Sequence, residues 1–330
     1  MIVSEPGRRA ILLTAPTVIQ PELSAGQQGV VRTLLYYHIF DFPLSAGEIF
    51  RFSPVVWRDA AELEGALHEM VAAKLIGIDR GFHFIGEDSH VDERRADEAR
   101  ARAALPRAAR WSRFISRFPH VRGVAISGTL SKGVMKEGDD LDYLVFTESE
   151  RVWFCRLLLM GFKKVFLFNS HHCFCVNYLL AEDHLEVPDR DLFTAMEIAW
   201  LLPTVNPTIH DRFLDANSWI MEYLPNWRRC VREVAPISQG LVKTVAETCA
   251  GGARGRRLDD WSHRIISRRN QRRYRHLEIR HEVAMRSEKH VSKHHPRAFR
   301  ERVLRRLSHE IASFEERHGV TIGGGEAAAP

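Results

Sequence analysis

His120–Glu150 reads HVRGVAISGTLSKGVMKEGDDLDYLVFTESE. Val121 to Ile126 is an apolar run of strand length. Gly128 and Thr129 mark a tight turn into a short helix, Gly138 a second turn, and Leu141 to Phe146 another apolar strand. At the head of that second strand stands Asp140-Leu141-Asp142. Residues two apart on a strand project to one face, so this spacing predicts two carboxylates side by side, their Cα atoms about 6.5–7 Å apart. Such a pair repels itself unless a cation or a basic group intervenes. A few hard oxygen ligands, with room left for waters and phosphate oxygens, suit Mg²⁺ or Mn²⁺. The turn at Ser127-Gly128-Thr129 supplies the complement. Its glycine lets the backbone approach a phosphate, its hydroxyl can donate to one, and the following helix presents free N–H groups. The expected site holds a nucleoside triphosphate on Ser127, Gly128, Thr129 and Lys132, and a metal on Asp140 and Asp142. Lys136, in the same loop as Lys132, is a second lysine able to neutralise triphosphate charge, although loop lysines are often only solvated.

Gly-Thr, ten residues, then Asp-Leu-Asp between apolar strands resembles the signature of the DNA polymerase β-like nucleotidyltransferase superfamily. Val176–Pro203 and Ala216–Asn226 are similar to stretches of a bacterial group of uncharacterised proteins that place a winged-helix module ahead of a nucleotidyltransferase-like domain. The resemblance covers roughly Gly29 to Trp227 and, more loosely, the C-terminal helices. It implies an α+β fold: a nucleotidyltransferase core of mixed sheet flanked by helices, with an N-terminal winged-helix-like module and a C-terminal helical region. It also implies Mg²⁺-dependent transfer of a nucleoside monophosphate from a triphosphate to an acceptor, with loss of pyrophosphate. Gly128 and Thr129 then hold the triphosphate, and Asp140 and Asp142 are the catalytic metal-binding acids. Members of the superfamily usually carry a third carboxylate on a later strand, which shares the metal and takes the acceptor's proton. The corresponding strand here is CFCVNYLL (173–180), and the aligned position holds Asn177. An amide is neutral and cannot act as a general base. Three readings stay open: Glu182 or Asp183 supplies the acid, the acceptor brings its own base, or the domain senses nucleotide without turning it over. Asn177 is also compatible with orienting substrate, or with being a satisfied buried amide.

Outward from this stretch the chain divides into a tail (1–26), a winged-helix-like module (27–90), a helical connector (91–118), the core (119–205), a basic helical domain (206–320) and a second tail (321–330). In the module, VVRTLLYYHIF, SAGEIFRF and DAAELEGALHEMVAAKLI read as three helices. Ser45 with Glu48 forms a capping box, and LIGIDRGFHFIG folds back at Asp79–Gly81 as a hairpin. The third helix, near Glu62–Lys74, is in the place of a DNA-recognition helix. Its three glutamates and single lysine match a phosphate backbone poorly and favour a protein partner or a positioning role. In the connector, Pro106 predicts a kink between two helices, with the arginines around it forming a solvated face.

The net charge of +5 is uneven: Gly251–Gly319 carries 19 Arg and Lys against 9 Asp and Glu. With Trp261 and Tyr274 interleaved, this helical stretch suits nucleic acid or another polyanion, or a basic cover for an acidic cleft. Five scattered cysteines without a C-x-x-C pair argue against a disulfide framework and for a reducing cytoplasm. His171, His172, Cys173 and Cys175 crowd together but lack the second, separated ligand pair of a zinc site. Phe154 to Phe168 is broken by Arg156, Lys163 and Lys164, so no membrane span is expected. Arg156 reads as a structural ion-pair partner, and Glu197 as part of a solvated helix face.

Overall fold

The computed structural model describes residues 22–168, 172–229, 234–237, 239–273, 286–293 and 299–322. The chain is α+β, with twelve helices and a six-stranded mixed sheet among those residues. The first three helices are Ala25–His38 (α1), Ala46–Phe52 (α2) and Ala60–Ala72 (α3), and they pack with three short strands, Leu44–Ser45 (β1), Gly77–Asp79 (β2) and Phe82–Phe84 (β3), ordered β1-β3-β2. The expected capping box is present, Ser45 with Glu48 opening α2, and a second one, Ser24 with Gln27, opens α1. Helix α1 begins before the boundary set by the sequence, and Leu23 is already buried, so ordered structure reaches into the expected tail. Residues 1–21 of that tail lie outside the described residues.

Val91–Ile115 (α4) is a single helix that runs through Pro106, where two helices were expected. Proline removes one backbone hydrogen bond, but Ala101, Ala108 and Ile115 are buried on both sides of it and hold the two halves on one surface. The arginines of this segment are not all solvated either. Arg94 is buried, donates to Glu48 (2.7 Å) and Glu98 (2.9 Å), and lies 3.8 Å over the Phe42 ring. The carboxylate that caps α2 therefore also anchors α4.

The large sheet has the order β7-β4-β5-β6-β9-β8, built from Val121–Ser127 (β4), Asp142–Thr147 (β5), Cys175–Ala181 (β6), Leu202–Val205 (β7), Ser287–Glu288 (β8) and Val291–Lys293 (β9). Strands β5 and β6 are parallel and joined through Val152–Phe166 (α6); the other pairs are antiparallel. Pro203 is tolerated because β7 is an edge strand. Strand β9 pairs with β6, Leu179 opposite Ser292, so the C-terminal region expected to be helical throughout also contributes the far edge of the sheet.

Alternation along β5 distributes its side chains between two layers. Tyr143 and Val145 pack with α4, α6 and Gly252–Arg273 (α11). Leu144 and Phe146 face the other way, into a core shared with α1–α3, Leu192–Ala199 (α7), Pro207–Ala216 (α8) and Phe299–His318 (α12). The N-terminal helices thus share one hydrophobic core with the sheet. Phe52 stacks on Trp200 with centroids 4.5 Å apart, and Trp200 donates to the Tyr37 hydroxyl (2.7 Å).

His210 on α8 is buried, and its Nε2 finds no hydrogen-bond partner among the described residues. Burial lowers its pKa to about 4. The neutral form is the one the fold accepts, so its stability contribution is complete above the unfolded value near 6.5 and is lost as pH falls toward 4, by about 3 kcal/mol. Urea unfolding of the protein and of His210→Leu between pH 7 and 4 is expected to show a shallower acid loss in the variant; parallel curves would remove this role for His210.

Candidate functional site

Strands β4 and β5 run antiparallel with Ser127 opposite Asp142, so the turn that follows β4 and the acids that lead into β5 meet at one end of the sheet. The contact is close. Gly128 has φ +70°, and a Cβ there would sit 2.7 Å from Asp142 Oδ2. Glycine is required both by that backbone conformation and by the approach of the carboxylate. Thr129 Oγ1 donates to Asp139 (2.8 Å), which also accepts from the Lys136 N–H (3.0 Å), closing the intervening loop on itself. The hydroxyl expected to face a phosphate is therefore committed to Asp139. The helix after the turn, Gly128–Ser131 (α5), is only one turn long, so its dipole is smaller than that of a full helix.

Asp140 lies just ahead of β5 rather than on it, since the strand begins at Asp142. Both aspartates nevertheless line the same cavity of about 740 Å³, together with Ser127, Gly128, Thr129, Lys132 and Asn177. Every residue assigned to the site from sequence is thus brought to one cleft. Asp140 is half-exposed, with His172 3.8 Å away. Asp142 is more enclosed, and its pKa is raised to about 6 by burial, with Asp140 and Asp139 adding to the rise against hydrogen bonds from Cys175 and Asn177. Burial, followed by the Asp142 charge, pushes the Cys175 thiol up to about 12, so it stays protonated.

Asn177 Nδ2 donates to Asp142 Oδ1 at 2.6 Å, and Asn177 Oδ1 accepts from the Cys175 thiol at 3.2 Å. The amide is a direct neighbour of the acid pair. Glu182 and Asp183 are not: they follow the far end of β6, where Glu182 N–H meets Thr147 at the end of β5. Five residues of strand separate Glu182 from Asn177, about 16 Å, and neither acid can reach Asp142.

The structure gives several residues roles that the sequence did not assign to them. Lys132 bonds Glu197 at 2.6 Å across the cavity wall, so Glu197 belongs to the cleft and not to a solvated face. Lys163 of α6 is held below lysine's ordinary pKa by burial, opposed by the negative charge of Asp140 and Asp142 nearby; its only sequence signal was interruption of an apolar run. Arg156 donates to the Ser292 carbonyl and ties α6 to β9. Cys173 accepts from Arg107, and Cys155, Cys173, Cys175 and Cys249 are free thiols. His171, Cys230 and Tyr274 lie outside the described residues.

Two aspartates whose mutual repulsion is only partly relieved by Asn177 and Cys175 form a hard-oxygen donor set that fits Mg²⁺ or Mn²⁺, provided waters or phosphate oxygens complete the shell. Among the described residues, no group of three or more His, Cys, Asp or Glu is placed to hold a metal by itself, and no helix is long and apolar enough to cross a membrane. No protein-family model, curated protein or solved structure matches the chain.

Proposed function

We propose that this chain is a divalent-cation-dependent nucleotidyltransferase of the polymerase-β-like type, with a winged-helix-like module built against the core. The observation that carries the reading is the Gly128 turn resting on Asp142, with Asp140 beside it at the floor of a cleft large enough for a nucleotide. Ser127, Gly128 and Thr129 would cradle the triphosphate through backbone N–H groups, while Lys132, already oriented by Glu197, adds positive charge. A cation on Asp140 and Asp142 would neutralise charge on the phosphates and align the α-phosphate. The acceptor hydroxyl oxygen forms the new bond to the α-phosphorus as the α–β bridging bond breaks, and pyrophosphate leaves with the electron pair. Asn177 cannot take the acceptor's proton, which passes instead to the departing pyrophosphate. Incubation with each labelled triphosphate and Mg²⁺ or Mn²⁺, scored for pyrophosphate release with protein, tRNA, DNA and small-molecule pools, tests this directly. Binding without release in every pool contradicts transfer.

A second reading, a nucleotide sensor without turnover, is favoured by one specific observation: the amide of Asn177 occupies the hydrogen-bonding position on Asp142 where a third acid is expected.

Nucleic acid or another polyanion is the partner proposed for the basic C-terminal region. Helix α11 supports it with exposed Arg254, Arg257, Arg264, Arg268, Arg269 and Arg272 around Trp261, which is 51% exposed. Neutralising Arg268, Arg269, Arg272 and Arg273 is expected to flatten the dependence of log affinity on log salt by about 0.7–0.9 for each phosphate that no longer meets a cationic side chain. An unchanged slope in filter binding would assign these arginines to solubility.

A further inference from the structure

The cleft above the aspartates has walls of a different character from its floor. Tyr36 comes from α1 and Phe40 from the turn after it, Phe193, Ile198 and Leu201 from α7 and its end, and Phe299 from α12. Phe299 bridges the two sides, with its ring centroid 6.1 Å from Phe40 and 5.8 Å from Phe193, and is 43% exposed at the rim. Its basic groups are largely engaged: Arg94 with Glu48 and Glu98, Lys132 with Glu197, Lys293 with Asp189, and Arg300 with Asp191. The lining holds seven carboxylates to five basic groups. Three of those carboxylates, Asp139, Asp140 and Asp142, are on the floor, so a second polyanion entering beside the triphosphate meets net negative charge there.

One polar group on the apolar wall is left over. Tyr36 is 2% exposed, and among the described residues its hydroxyl makes no hydrogen bond, although Tyr36 lines the cavity. That hydroxyl is open to the cavity rather than sealed in the core, and it is free to donate to a ligand or water there. Aromatic and aliphatic walls with one or two convergent polar groups, enclosing a few hundred cubic ångströms, describe a small-molecule site.

We infer that the upper cleft binds a small, largely apolar molecule carrying a hydroxyl group, with the ring of Phe299 over it and the hydroxyl of Tyr36 as a donor. That this molecule is the nucleotidyl acceptor rests on the reading proposed above; that the site is apolar and excludes nucleic acid does not. The N-terminal helices and α12 then act as the specificity walls of the cleft, and any polyanion bound by α11 is a separate partner.

The uncharged dye Nile red, titrated into the full-length protein without nucleotide, is expected to show one saturable site. The site should release dye to 2-naphthaleneethanol and not to a short oligoadenylate. Leu201→Trp, which fills the cleft, should weaken the dye about tenfold or more, and Phe299→Ala, at the exposed rim and safe for folding, about threefold or more. Displacement by oligoadenylate but not by the alcohol overturns the inference, as does dye affinity unchanged in both variants. Calorimetry of Mg²⁺-ATP binding to the same protein separates the two ideas. Nucleotide binding without the dye site leaves the transferase reading and removes this one, whereas a dye site obeying these rules without nucleotide binding does the reverse.

Discussion

Asp142→Asn is expected to remove the Mg²⁺ dependence of triphosphate binding, weakening it about 100-fold or more. The contact between a divalent cation and an ionised ligand is worth several kcal/mol, and each 1.4 kcal/mol is tenfold in affinity. The same substitution is expected to stabilise the metal-free protein. Burial raises the Asp142 pKa to about 6 in the fold. An acid whose folded pKa exceeds its unfolded value contributes stability that is complete below pH about 4 and is lost as pH rises through 6, by about 3 kcal/mol. Asparagine keeps the shape and can still accept from Asn177 without carrying that charge. Thermal and urea unfolding in EDTA at pH 7.5 should therefore show the variant above the parent, with the difference vanishing near pH 4. A variant that loses stability and keeps metal-dependent nucleotide binding would show that Asp142 serves the fold alone. The opposed signs matter, because a structural carboxylate and a metal-binding one both look buried, but only the latter is better for the fold when removed.

The turn and the acids were legible because their geometry is local. Gly128 and Thr129 directly follow β4 and Asp142 opens β5, neighbouring strands joined by a short loop, so spacing alone brings them together. Ser45 and Glu48 were legible for the same reason: a capping box spans only three residues of separation. What escaped was decided by distant partners. Strands β8 and β9 are two and three residues long in a charged, His-rich stretch flanked by helical pattern, and only the open edge of β6 makes strands of them. Pro106 argued for a break, but the burial of Ala101, Ala108 and Ile115 on one surface outweighs the backbone bond that proline removes. Glu197 read as solvated because its partner, Lys132, is 65 residues away. The apolar walls of the cleft were invisible for a related reason. Phe40, Phe193 and Phe299 belong to three separated segments, each reading as ordinary core.

Asn177→Asp tests the absent third acid at the position where the structure puts it. The amide now donates to Asp142 Oδ1 at 2.6 Å; a carboxylate there turns an attractive contact into two like charges within hydrogen-bonding distance. In EDTA the variant is expected to unfold at lower temperature, because one of the two acids must bind a proton or both must repel. With Mg²⁺ the added anion completes a three-carboxylate set, so metal affinity should rise and the stability deficit should shrink. If the chain transfers nucleotide, turnover is expected to rise by about 10²–10⁴-fold, the usual worth of a general base placed at the reacting group. If instead a weak activity present in the parent disappears, Asn177 orients substrate through its amide, and proton acceptance by pyrophosphate is sufficient. Glu182 and Asp183 offer no rescue in either case, standing at the opposite end of β6. Should metal affinity, stability and turnover all stay where they are, Asn177 has no bearing on the acid pair, and the nucleotidyltransferase reading loses the contact that links β6 to its site.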